Sequence, residues 1–183
     1  ASGQRDFGEN YVQEAMAKRA ALADLDLSWH LIGHLQSNKC REAAETFDWI
    51  ASVDREKLIA PLARYRPASR PPLNLLIQVN IDDETSKSGC QPSEVAGLAS
   101  AIAAEPSLRL RGLMAIPAPG DADSLRRAFS AMRAMYEALR GQYPSVDTLS
   151  MGMSADYPLA IAEGATQVRI GTALFGPRPA RPA

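Results

Sequence analysis

The feature that most constrains this chain is a rhythm: short apolar runs recur at fairly even intervals, and most are followed by a stretch patterned as a helix. Residues 7–10 lead into a helical pattern over 11–23, residues 29–35 into 38–47, and residues 49–53 into 55–65. The connection 66–72, rich in Pro, Arg and Ser, is a long loop and not a domain linker, because the same alternation resumes beyond it. The run 73–81 is the clearest buried strand, the polar stretch 82–89 follows, and Pro92-Ser93-Glu94 opens the next helix. Runs at 108–116, 146–151 and 166–170 complete about seven strands, with an amphipathic helix over 123–142 after the first of them.

Strands this continuously apolar must be covered on both faces, which calls for a parallel α/β sheet with helices as the crossovers. Two architectures satisfy that demand, an open doubly wound sheet and a (β/α) barrel. No GxGxxG or Walker A motif marks a phosphate loop near the start, which counts against the open sheet. With 183 residues and 46% hydrophobic content, the expectation is one domain over 1–183.

Charge removes several classes of partner. The formal net charge of -1 offers no basic field for nucleic acid or an anionic membrane, so attraction for an anion must be local. No apolar run reaches membrane-spanning length, and the first residues lack the pattern of a signal peptide. Cys40 and Cys90 stand fifty residues apart without a CxxC or a His at ligand spacing, which disfavours zinc and a disulfide framework. A cytoplasmic protein with reduced thiols is the expectation.

The stretch 150–176, SMGMSADYPLAIAEGATQVRIGTALFG, joins a Gly/Ser turn, an apolar helix, a Gly break and a strand. Ser154 stands at a plausible N-cap and Gly171-Thr172 follows the strand, so backbone N–H groups and two hydroxyls can converge on an anion. An ordinary loop with a Gly C-cap reads the same way. Arg169 lies inside the apolar run Val168-Arg169-Ile170, where an unpaired guanidinium is costly and requires a partner. Asn10 ends its strand as either a site residue or the N-cap of the next helix. His30 and His34 share one strand face without a carboxylate at metal-binding spacing; His34, with Gln36 and Ser37, suits a pocket wall and His30 suits the core or the bottom of a barrel. Phe129, Met132, Met135 and Tyr136 form a helix face turned to the sheet, with Arg126, Arg127, Arg133 and Arg140 on its solvated side.

Five ordered motifs carry a resemblance: FGENYVQE at 7–14, WHLIGHLQSNK at 29–39, SKSG at 86–89, RGLMAI at 111–116, and the C-terminal stretch just described. Together they closely resemble the pyridoxal 5'-phosphate (PLP) homeostasis proteins, the YggS/PROSC family. The resemblance implies a (β/α)8 TIM-type barrel of the alanine racemase N-terminal type. It implies that this chain holds strands two to eight, the first βα unit with its Schiff-base lysine lying before residue 1. None of Lys18, Lys39, Lys57 and Lys87 stands at that lysine's position. The cofactor contacts it implies are Asn10, His34, Met153, Ser154, Arg169, Gly171 and Thr172. Ser154 and Thr172 would give hydroxyls, the amides at 153–154 and 171–172 would meet the phosphate, and Arg169 would face the pyridine nitrogen. The function implied is PLP binding and vitamin B6 homeostasis without an established catalytic reaction, in a monomer if the first strand is present. A PLP-dependent racemase and a ligand-inert barrel fragment are the alternatives.

Overall fold

The structure, a computed structural model, describes residues 3–82 and 88–176. Ser86 and Lys87 of the SKSG motif lie outside the described residues. Seven strands form one sheet: β1 (Asp6–Glu9), β2 (Ser28–Leu31), β3 (Trp49–Val53), β4 (Leu73–Gln78), β5 (Leu108–Met114), β6 (Thr148–Met153) and β7 (Gln167–Arg169). Every neighbouring pair is parallel and the strands lie in chain order, so each crossover carries the chain one place along the sheet. The helices are α1 (Val12–Ala21), α2 (Cys40–Thr46), α3 (Ile59–Tyr65), α4 (Val95–Ala103), α5 (Ala122–Gln142), α6 (Tyr157–Ala162) and α7 (Thr172–Phe175). This is the βα rhythm of the sequence in the form of an alanine racemase type of barrel. Among the described residues β1 and β7 are not paired with each other.

The helices form where the apolar spacing places them. In α5, Ala128, Phe129, Met132, Tyr136 and Leu139 are buried at helical intervals, and Asp121 caps the start by accepting from the Ser124 N–H at 2.7 Å. At the start of α4, Pro92 occupies the first turn and the Glu94 carboxylate accepts from the Gln91 N–H at 2.7 Å. Loop 66–72 is fastened from below. Arg66 is buried and donates to the carbonyls of Ala44, Phe47 and Pro71, each at 2.8 Å, where the last carbonyls of α2 attract a cation.

The expected strand bounds hold to within a residue or two at β1, β3, β5, β6 and β7. Two runs overshoot. β2 ends at Leu31, because at Gly33 the chain passes so close to Asn10 that a Cβ would sit 2.2 Å from its carbonyl oxygen. β4 ends at Gln78, and Val79 then turns to a single bridge with Cys90. Two capping expectations are corrected as well. Asn10 is not the N-cap of α1, since the first helical bond runs from the Ala15 N–H to the Tyr11 carbonyl and Tyr11 holds the cap position. Ser154 does not cap α6: Pro158 fixes the first turn, and Asp156 stands at the N-cap.

The main core lies between the sheet and the helices, with Phe47, Phe129, Leu31, Leu75 and Ile77 fully buried. The inner face of the sheet carries a smaller cluster of Ala51, Leu76 and Met114, with Ile32 and Trp49 against it. Towards the N-terminal ends of the strands this face turns polar. His30 stacks on Trp49 at 5.2 Å and lies 3.0 Å from an Asp6 carboxylate oxygen, while Arg111 covers Trp49 at 4.5 Å and bonds Asp147 and Asn74. His30 is buried with its ring satisfied by Asp6, in line with the expectation of a core or barrel-bottom histidine.

Gly112 has φ +145, and a Cβ there would lie 1.8 Å from the Thr148 carbonyl oxygen on the paired strand. Gly112→Ala should therefore cost more than about 2 kcal/mol, read as a lower denaturant midpoint with an unchanged slope. His30 gives a second test. Burial lowers its pKa, and Asp6 pulling upward does not overcome this. A lowered folded value means the unfolded chain takes the proton first. Stability from neutral His30 is complete above the unfolded value of about 6.5 and is lost as pH falls through the folded value. Urea midpoints should fall from about pH 8 to about pH 5.5, and His30→Gln should flatten that slope.

Candidate functional site

All seven strands point the same way, so their C-terminal ends gather on one side, where barrel proteins place their sites. The candidate residues fall there in two groups. At the ends of β1 and β2, Asn10, Gly33, His34, Gln36 and Lys39 line a cleft of about 480 Å³. His34 is half exposed, with Nδ1 3.6 Å from an oxygen of the partly buried Asp54 and 3.5 Å from the Ser88 hydroxyl. Lys39 is engaged by the Glu42 carboxylate at 3.1 Å, and Lys18 by Glu9 at 2.6 Å. A second hollow of about 530 Å³ lies on the outer face of α5, away from the strand ends, beside Arg126, Arg127 and Ser130.

The other group stands at the ends of β6 and β7. The Ser154 hydroxyl accepts from the Gly171 N–H at 3.3 Å and from the Ala173 N–H at 3.2 Å. It thereby ties the loop after β6 to the loop after β7 and brackets Thr172, whose N–H has no partner among the described residues. The sequence expectation that Ser154, Gly171 and Thr172 come together is met in this arrangement. Ala173 joins them as a fourth member, which an alanine's backbone amide could not announce. The Met153 N–H, expected to serve the anion, is instead donated to the Asp156 carboxylate at 2.6 Å.

Arg169 ends β7 and crosses β6. Nη1 donates to the Ser150 hydroxyl at 2.8 Å and Nη2 to the Ala115 carbonyl at 2.8 Å, both neutral acceptors. Among the described residues it forms no ion pair with a carboxylate. Burial brings its pKa down to about 10, with Asp156 opposing, so the guanidinium is still charged at neutral pH. No group of three or more His, Cys, Asp or Glu residues forms a metal site among the described residues.

A parallel βα barrel whose last two strands end in a cluster of amides and hydroxyls, with a charged arginine closing the last strand, is an arrangement of the kind that suits a phosphate-bearing ligand. The family model that matches residues 1–179 is that of the alanine racemase N-terminal domain. A Pseudomonas aeruginosa relative, a pyridoxal phosphate homeostasis protein, is 56% identical over 97% of this chain and 76% of its own length. An Escherichia coli protein of the same description is 54% identical over 97% of this chain and 77% of its own length. The solved structure of PipY from Synechococcus elongatus with PLP bound superposes with a TM-score of 0.82 at 44% identity, over 95% of this chain and 82% of that one. The chain belongs to the pyridoxal phosphate homeostasis protein family.

Ser154→Ala removes the acceptor that gathers two amides. It should weaken binding of inorganic phosphate several-fold in calorimetric titration, while leaving the thermal midpoint of the free protein within a few degrees.

Proposed function

We propose that this chain binds pyridoxal 5'-phosphate and serves its intracellular balance, without catalysing a reaction of its own. The observation that carries the reading is Arg169. A charged guanidinium held by two neutral acceptors is costly in a partly buried position unless a ligand completes it, and the Ser154 hydroxyl gathers the Gly171 and Ala173 N–H groups at the ends of the same two strands. In this reading Asn10 and His34, which line the cleft at the ends of β1 and β2, are the opposite wall, and the exposed Met153 is at the rim. PipY, a relative at 44% identity, has been solved with PLP bound.

Bound PLP supplies an aldehyde that reacts with amines and a ring that draws electron density. In this reading Arg169 keeps its protons, so the ring nitrogen beside it stays without one and the ring is a weak electron sink. The 171–173 amides and the hydroxyls of Ser154 and Thr172 hold the phosphate. A racemase needs a proton carrier on each face of a bound amino acid. Among the site residues assigned here His34 alone can carry a proton, so a carrier on each face is lacking, which suits holding over racemisation.

The seven strands are proposed to be strands two to eight of the family barrel, in a single domain that works as a monomer once that barrel is complete. In support, the exposed large apolar side chains other than Ile116 all lie on the first βα unit or from the end of β6 onward: Tyr11, Met16, Leu22 and Leu25 on one flank, Tyr157, Ile161, Leu174 and Phe175 on the other. A cytoplasmic location is proposed from two buried free cysteines and from the absence, among the described residues, of any helix long and apolar enough to cross a membrane. Neither nucleic acid nor membrane is a proposed partner.

Titration with PLP, followed by quenching of protein fluorescence, tests the reading. Saturable binding is expected, and Arg169→Gln should weaken it roughly tenfold to a hundredfold. L-alanine incubated with the loaded protein should keep its configuration on chiral chromatography; conversion to the D form would favour the racemase alternative.

A further inference from the structure

Ser150 has no evident reason to be a serine. It sits in the middle of β6 between Leu149 and Met151, all three fully buried, in a strand whose other task is to pack. A buried hydroxyl must be satisfied or it costs stability. Ser150 meets half of that requirement by accepting from Arg169 Nη1 at 2.8 Å, which turns its own proton away from the guanidinium. Among the described residues nothing accepts that proton. The Ala115 carbonyl holds Nη2 at 2.8 Å, so two fixed acceptors, one on β6 and one just past β5, set the guanidinium plane. Of the five guanidinium N–H groups, three have no partner among the described residues. The couple therefore offers donors only. The ligand group that suits it is an acceptor lone pair carrying no proton.

Resting on the PLP-binding reading, we propose that Ser150 is a positioning residue for the pyridine nitrogen: it fixes Arg169 so that its spare N–H groups face an unprotonated ring nitrogen. Without the hydroxyl, Nη1 loses its partner on β6. Asp156 is the carboxylate whose charge already bears on Arg169, and it stands two residues beyond Ser154 in the same loop. The guanidinium then turns towards Asp156, and recognition of the ring nitrogen is lost while the 171–173 amides still hold phosphate.

The test compares two ligands that share the phosphate and differ at one atom: PLP, and its 1-deaza analogue with a CH in place of the ring nitrogen. Dissociation constants are measured for the wild-type chain, Ser150→Ala, Ser150→Cys and Ser150→Thr, with inorganic phosphate as competitor. The wild-type chain should prefer PLP by about tenfold or more. Ser150→Ala should reduce that preference to about threefold or less, with phosphate competition unchanged; Ser150→Thr, which keeps the hydroxyl, should retain it. Ser150→Cys keeps the volume with only a weak acceptor and should behave like Ser150→Ala, so the test stands if one variant does not fold. A wild-type preference in both Ala and Cys variants would overturn the role of Ser150 and leave PLP binding intact. Failure of the wild-type chain to bind PLP at all would overturn the function proposed above and this inference with it.

Discussion

Parallel strands cannot be joined by tight turns; each link must travel back along the sheet, and a helix is the usual way to do so. That single constraint arranges this molecule. With seven strands in chain order, every strand delivers its C-terminal end to the same side, and every loop on that side begins where a strand's ladder of hydrogen bonds has just ended. Asn10 follows β1, Ser154 follows β6, and Gly171 and Thr172 follow β7, while Arg169 is the last residue of β7. Residues far apart in the chain thus stand at the same end of the sheet. The site is a consequence of topology before it is a consequence of any one side chain.

Within that frame, the chain buries arginines in two different ways. Arg66 is surrounded by three carbonyls at the end of α2 and the loop after α3, and its work is finished there: it pins a proline-rich connection to the core. Arg169 has two neutral acceptors, both on the strand side. Burial lowers both pKa values to about 10, so both cations feel the cost of leaving water. The difference lies in surroundings. Arg66 stabilises a loop, whereas Arg169 ends a strand beside Ser154, whose hydroxyl already collects two amides. Arg66 has three carbonyl acceptors and a structural task, whereas Arg169 has two acceptors and stands beside the amides that Ser154 collects.

Much of this was legible in the sequence because apolar periodicity reports burial directly. The run 49–53 is β3 to the residue, and the buried face of α5 is the one the spacing of Phe129, Met132 and Tyr136 indicates. The motif residues Ser154, Gly171 and Thr172 come together as expected. What the sequence hid has a physical pattern. Residues 32–35 and 79–81 are as apolar as a strand, yet they leave the ladder, because backbone crowding at Gly33 and the detour to Cys90 are tertiary events without a local signature. Ser154 reads equally well as a helix cap, and only the neighbouring loop decides against it. Ala115 and Ala173 act through backbone atoms, and Ser150 is one buried hydroxyl among apolar neighbours, so neither kind of contribution leaves a mark in residue type.

The central claim is that one ligand joins the 171–173 amides to Arg169. A crystal structure of this chain grown with PLP measures that most directly. The account predicts phosphate density against the Ser154 and Thr172 hydroxyls and the amides of 171–173, with the ring nitrogen within hydrogen-bonding distance of an Arg169 guanidinium that still holds Ser150 and Ala115. Ligand confined to the cleft between Asn10 and Lys39, with Arg169 turned to the Asp156 carboxylate, would contradict it.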